Sequence, residues 1–204
     1  PRRTARSPLE AAGLRREADE ALLSGAYVGF SKDSESSVRR TSNINWDDYF
    51  MSIAVLSAYR SKDPNRQVGA CIVDPRTLRI VGIGYNGFPW GCSDEKLPWA
   101  RKADSWLDTK YPYVCHAELN AIMNKNTASL DGCRIYTTLF PCNECAKLIV
   151  QARLREVVYL SDAQRNTDPN TASRRILDLA GVNAWCHKPA ASRVIIDFED
   201  ELAK

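Results

Sequence analysis

Apolar positions along the chain keep two rhythms. From Trp46 they fall at Trp46, Tyr49, Phe50, Ile53, Ala54, Leu56 and Ala58, the stripe of one helix face. Val68–Val73 and Leu78–Tyr85 are instead continuous β-branched and apolar runs joined by Asp74-Pro75-Arg76-Thr77, which predicts a hairpin. The stretch from Asn86 to Pro112 shows neither rhythm, and so long a loop is expected to be functional or to hide a helix. Beyond it the two patterns alternate. A helix is expected over Cys115–Asn126, a strand over Arg134–Leu139, a helix over Cys142–Ala152, a strand over Val157–Ser161, a helix over Pro169–Ala180 and a strand over Val194–Phe198. Asp168-Pro169 is a sound helix start and Gly181 a sound stop. Strands and helices in this order predict an α/β fold whose sheet is covered by helices on both faces.

The first 45 residues read differently. Ser7-Pro8-Leu9-Glu10 is a capping box with Pro at the first helical position, and Leu14, Ala18, Ala21 and Leu22 continue one face as far as Gly25. This predicts a short helix over 8–24, followed by a Ser-rich, charged linker over 31–43. The expected organisation is therefore an extension over 1–45, one domain over 46–198 and a tail over 199–204.

Charge sharpens that division. Of the net +3, residues 1–45 carry +2, with eight Lys/Arg against six Asp/Glu, and the remaining 159 residues carry only +1. Nucleic-acid binders draw most of their affinity from a concentrated basic footprint, so a polynucleotide partner is not expected. No run approaches the roughly 18 apolar residues of a membrane-spanning helix. Seven cysteines, an odd number, favour reduced thiols plus a metal over a disulfide scaffold, and hence a cytoplasmic protein. The chain opens on Pro1-Arg2-Arg3 rather than Met, which fits a trimmed or processed form whose targeting segment would leave no trace here.

Histidine limits the metal chemistry. With only His116 and His187 available, any metal site must be rich in cysteine. His116-Ala117-Glu118 is followed 26 residues after the histidine by Cys142, preceded by Pro141, and then by Cys145. At i and i+3 on a helix start, both sulfurs lie on one side of the first turn, where unpaired N–H groups favour thiolate. One imidazole and two thiolates suit Zn2+ and leave a fourth tetrahedral position open, so one catalytic ion is expected. Glu118 is then placed to take a proton from an activated water and pass it on. Each half alone has a plain alternative, structural zinc or a redox pair for C-x-x-C and chance for H-x-E. Together, H-x-E and P-C-x-x-C form the signature of zinc-dependent nucleobase deaminases.

At these residues the chain resembles the cytidine and deoxycytidylate deaminase superfamily, and its deoxycytidylate (dCMP) branch closely. The resemblance is carried by WDDYF at 46–50, SKDPNRQVGACIV at 61–73, GIGYNGFP at 82–89, GCSDEKLPW at 91–99, TKYPYVCHAELNAIMNKN at 109–126 and LFPCNECAKLIVQ at 139–151. WDDYF and GYNGFP look most like its plant-type members. It implies a three-layer α/β/α fold with a mixed five-stranded sheet, a homohexamer, and hydrolysis of dCMP to dUMP and ammonia for thymidylate synthesis. It also implies activation by dCTP with Mg2+ and inhibition by dTTP.

Carried over position by position, the resemblance makes His116, Cys142 and Cys145 the zinc ligands and Glu118 the proton shuttle. Asn86 stands where related deaminases hold a sugar hydroxyl, with a plain turn Asn as the alternative. Lys62 and Arg66, with Asn65 between them, form a candidate phosphate-facing loop, against solvated surface charge as the alternative. Tyr113 could stack on cytosine or simply fill core. Tyr85 and Gly87 in the GYNG loop, with Asn124 and Lys125 at the helix end, resemble effector-binding positions. Cys71 reads as core packing and Cys115 as a spectator, and Cys186-His187 is weak ground for a second metal. Two rival functions remain open: a deaminase of tRNA or another polynucleotide, and a zinc-stabilised scaffold without activity.

Overall fold

In a computed structural model, the described residues are Tyr27–Val28 and 43–198. The expected helix over 8–24, its linker and the tail over 199–204 lie outside them. The chain divides into two compact units, Tyr49–Lys188 in one and Pro1–Asp48 with Pro189–Lys204 in the other.

In chain order the elements are β1 (Tyr27–Val28), α1 (Trp46–Ala58), β2 (Gly69–Asp74), β3 (Arg79–Tyr85), a 3-10 turn (Trp106–Asp108), α2 (Ala117–Met123), β4 (Arg134–Leu139), α3 (Asn143–Gln151), β5 (Glu156–Ser161), α4 (Asp168–Leu179), β6 (Asn183–Cys186) and β7 (Arg193–Val194). Five strands form one sheet in the order β3-β2-β4-β5-β6. β2 runs antiparallel to both β3 and β4, while β5 is parallel to β4 and to β6, so the sheet is mixed.

Alternation along the strands divides the core in two. Ala70, Ile72, Ile135 and Val157 face one side, where they meet Ala117 and Ala121 of α2, Ala146 and Ile149 of α3, and Leu177 of α4. Cys71, Val73, Tyr136 and Val158 face the other and meet Phe50, Met51 and Ala54 of α1. The result is a three-layer α/β/α arrangement with three helices on one face and one on the other. Each fully buried Ile, Val or Phe contributes about 1.5–3 kcal/mol, which is why the central strands read as unbroken apolar runs.

The last strand differs from the expectation. The run Val194–Phe198 does not join the sheet; only Arg193–Val194 is strand, paired parallel with Tyr27–Val28 in a separate ribbon. The fifth strand of the main sheet is β6, a four-residue edge segment whose alternation is weak. Among the described residues no helix is long and apolar enough to cross a membrane.

Glycine sets how closely α2 approaches the sheet. A Cβ at Gly84 of β3 would lie 2.3 Å from Ala117 O and Ala121 N of α2, and one at Gly82 would lie 2.5 Å from Ala121 O. The first turn of α2 therefore rests directly on β3. Asn120 and Asn124, one turn apart on α2, donate side-chain hydrogen bonds to Tyr85 O at 2.7 Å and Ile83 O at 3.2 Å, satisfying carbonyls of this edge strand.

Candidate active site

Two helix starts converge beside the C-terminal end of β4. His116 is the N-cap of α2 and Cys142 the N-cap of α3, both with extended backbone. Neither side chain caps its own helix, so both are free to turn toward the other. Cys145 follows in the first turn of α3. His116 Nδ1 lies 3.4 Å from the sulfurs of both Cys142 and Cys145, and the three donor atoms fall within 4.8 Å of one another. Glu118, in the first turn of α2, places Oε2 3.4 Å from Cys145 Sγ.

This donor set fits zinc. Ligands at Zn–S of about 2.3 Å and Zn–N of about 2.0 Å stand roughly 3.5 Å apart on a tetrahedron, close to the separations seen. The side with exposed His116 is open, the side with buried Cys145 closed.

The charges around these groups are strongly coupled. Cys142 is pulled down to about 4, first by the hydrogen bond from Cys145 and next by His116. The same bond, with burial, pushes Cys145 up. Bonding to Cys142 raises His116 to about 8. Burial pushes the Glu118 carboxyl up, with His116 pulling against it. A divalent cation would relieve the competition between the two sulfurs for one proton.

The model of the cytidine and deoxycytidylate deaminase zinc-binding region matches residues 44–161. The chain belongs to the cytidine and deoxycytidylate deaminase family. Its enzymes are zinc-dependent hydrolases. The deoxycytidylate deaminases of Pongo abelii and Homo sapiens are 58% and 57% identical to it over 161 residues, 79% of this chain and 90% of each relative. The crystal structure of the dCMP deaminase from cyanophage S-TIM5 in complex with dCMP and dUMP matches at a TM-score of 0.56 and 29% identity, covering 69% of this chain and 96% of that one.

Around the His116–Cys142–Cys145 cluster the remaining candidates are spread over three loops and the end of α2. Asn86 is buried, and its amide is committed to the protein. Oδ1 accepts from Val68 N at 2.8 Å, and Nδ2 donates to Arg66 O at 3.0 Å and Asp63 Oδ2 at 3.3 Å. Only the second lone pair of Oδ1 is left for a ligand. Lys62 is exposed and paired with Asp94, while Asn65 donates to Trp99 O at 3.3 Å. Arg66 is exposed on the same loop. Tyr113 donates its hydroxyl to Leu107 O at 3.0 Å. Gly87 exchanges two backbone bonds with Cys115, at 3.1 and 2.8 Å, tying the GYNG loop to the residue before His116. Tyr85 and Lys125 are exposed, and Asn124 is engaged with β3.

Cys71 is fully buried in the sheet and pushed up to about 12 by burial. His187 is buried with its ring against Trp185 at 6.0 Å. Among the described residues the only cluster able to hold a metal is the His116–Cys142–Cys145 set.

Sequence reasoning passed over Asp63 and Lys110, a buried ion pair. Burial alone would raise the Asp63 carboxyl. Lys110 and the backbone N–H groups of Asn65 and Arg66 outweigh it and hold the carboxyl below its ordinary range. The one local signal was Asp63-Pro64, a common turn opening.

Proposed function

We propose that this chain hydrolyses dCMP to dUMP and ammonia, using His116, Cys142 and Cys145 as zinc ligands and Glu118 as proton shuttle. The observation that carries the reading is the convergence of the three donor atoms within 4.8 Å, with the buried Glu118 carboxylate 3.4 Å from Cys145. Bound there, Zn2+ supplies a water acidic enough to act as a nucleophile at neutral pH. Glu118 accepts the proton from that water and delivers it to N3 of cytosine as C4 is attacked. The same carboxylate then takes the proton of the new hydroxyl on C4 and hands it to the amino group, which leaves as ammonia while the C4 carbonyl forms. Asn86 and Tyr113 belong to the sugar and base side of the site, and Lys62, Asn65 and Arg66 to the phosphate side.

Activation by dCTP with Mg2+, inhibition by dTTP through Tyr85, Gly87, Asn124 and Lys125, and a homohexamer are part of the same proposal. They are supported by the motifs shared with dCMP deaminases. The backbone at Gly87 is open, since an added Cβ would meet nothing within 4 Å. Seven unpaired thiols support a reducing, cytoplasmic setting.

The test is ammonia release by the zinc-loaded chain from dCMP, CMP, deoxycytidine and dCTP, with dCTP and dTTP also added as effectors and light scattering for the assembly. Turnover of dCMP well above the others is expected. Activity confined to deoxycytidine, or binding to tRNA without dCMP turnover, would overturn the reading.

A further inference from the structure

Three loops must hold still together for the site to recognise a nucleotide: 61–68 with Lys62 and Arg66, the GYNG loop with Asn86, and the turn that delivers His116. One buried ion pair joins them. Asp63 and Lys110 are both buried, at 2% and 8% exposure, and their side chains meet directly. Asp63 Oδ1 accepts from the backbone N–H groups of Asn65 at 2.8 Å and Arg66 at 3.2 Å, and Oδ2 accepts from Asn86 Nδ2 at 3.3 Å. Ser61 Oγ accepts from Asp63 N at 3.3 Å and donates to Asn86 O at 2.9 Å, closing the ring between the first two loops. Lys110 heads the turn into His116, its carbonyl accepting from Tyr113 N at 3.1 Å and Val114 N at 3.0 Å.

We infer that Asp63 and Lys110 are positioning residues for substrate recognition: their pair fixes the 62–66 loop and Asn86 against the turn that carries His116. The inference rests on the reading of the site as a dCMP deaminase. The zinc triad is held separately, by the starts of α2 and α3, so losing the pair moves recognition without removing the metal. The effect falls on KM, because the groups displaced are those that face the substrate's sugar and phosphate.

The experiment compares the wild-type chain with Lys110→Met, Asp63→Asn and the double variant, measuring zinc content, thermal midpoint, and kcat and KM for dCMP and deoxycytidine. Expected are one zinc per chain throughout, kcat for dCMP within about 3-fold of wild type, and KM raised by about 10- to 100-fold. The preference for dCMP over deoxycytidine should shrink by the part of that factor owed to the phosphate-facing Lys62 and Arg66, because Asn86 serves both substrates. Equal losses for both substrates would mean that the pair merely stabilises the fold, and would overturn the inference. So would unchanged kinetics in the folded variants. A single variant leaves one charge buried without its partner, so the double variant guards against simple unfolding. If it too gives no folded chain, the pair is a folding element and the inference falls. Absence of dCMP turnover by the wild type would overturn the functional reading instead.

Discussion

Glu118 is the residue on which chemistry and packing conflict most sharply. A carboxylate at 4% exposure is costly to bury, and its bond from Cys145 is weak compensation. Replacing it with Gln keeps the shape and removes the carboxylate that the proposed shuttle needs. Glu118→Gln is expected to hold one zinc per chain and to lose turnover by about 10^2- to 10^4-fold, checked by metal analysis alongside ammonia release. Wild-type turnover in that variant would refute the shuttle role. Cysteine gives a second expectation. Cys92 and Cys186 are exposed, whereas Cys71, Cys133 and Cys145 are buried. A thiol reagent at neutral pH should modify Cys92 and Cys186 first in the zinc-loaded chain, and chelation should add Cys142, the half-buried ligand that ionises most readily. Peptide mapping of the labelled chain checks it, and early modification of Cys71 would contradict the packing described.

The two halves of the His116–Cys142–Cys145 cluster, with Glu118 beside it, were legible because the spacing within each half is local. H-x-E and C-x-x-C each sit within one helical turn, so chain order already states their geometry. Asp63 and Lys110 were not legible, since 47 residues separate them and only the fold reveals that they meet.

Among the elements, α2 is the one whose placement decides the site, because it begins at His116 and carries Glu118. It is seven residues long, too short to be stable by itself. What holds it is contact with β3, and that contact depends on glycine. Gly84→Ala would put a methyl group 2.3 Å from two backbone atoms of α2, neither of which can swing aside as a side chain could. The expected cost is about 2–3 kcal/mol in urea unfolding, with weaker zinc retention because the helix start is pushed off the strand. Gly91→Ala offers a contrast. It has open space but a φ of +85°, so it should show only a backbone penalty of about 1 kcal/mol and unchanged zinc. Equal loss of zinc in both would remove close approach as the explanation.

The same dependence on neighbours explains which elements could be read in advance. β4 is central and apolar on both faces, and its predicted bounds match. β6 was missed because an edge strand of four residues, two half-buried and two exposed, carries little pattern, while the apolar run after Arg193 carries more and stays exposed. Hydrophobicity marks a segment that can be buried, and of Val194–Phe198 only Val194 became strand, in the two-stranded ribbon with Tyr27–Val28.

Over the whole molecule, stability is a small difference between large terms, so one buried charge pair can weigh on it visibly. Asp63 provides the pH dependence. Its carboxyl is held below its ordinary range in the folded chain and returns to about 3.9 when unfolded. A group depressed on folding contributes stability that is fully present above the unfolded pKa and is lost as pH falls through the folded one. Asp63→Asn removes the charge at every pH, whereas acid removes it from the wild type alone. At pH 7 the variant should be less stable by about 3–5 kcal/mol, the cost of leaving Lys110 buried without its anion. That gap should hold down to about pH 5 and narrow progressively below about pH 4, as the unfolded wild-type chain takes up a proton before the folded one does. Urea unfolding of both chains between pH 7 and pH 3 measures the gap directly. If it stayed constant to pH 3 while both chains remained folded at that pH, the Asp63 carboxyl would take up its proton equally in the folded and unfolded chains, and the pair with Lys110 would not depress it. If no gap existed at pH 7, the charge would carry no stability and the hydrogen bonds from Asn65, Arg66 and Asn86 would suffice to hold the loop.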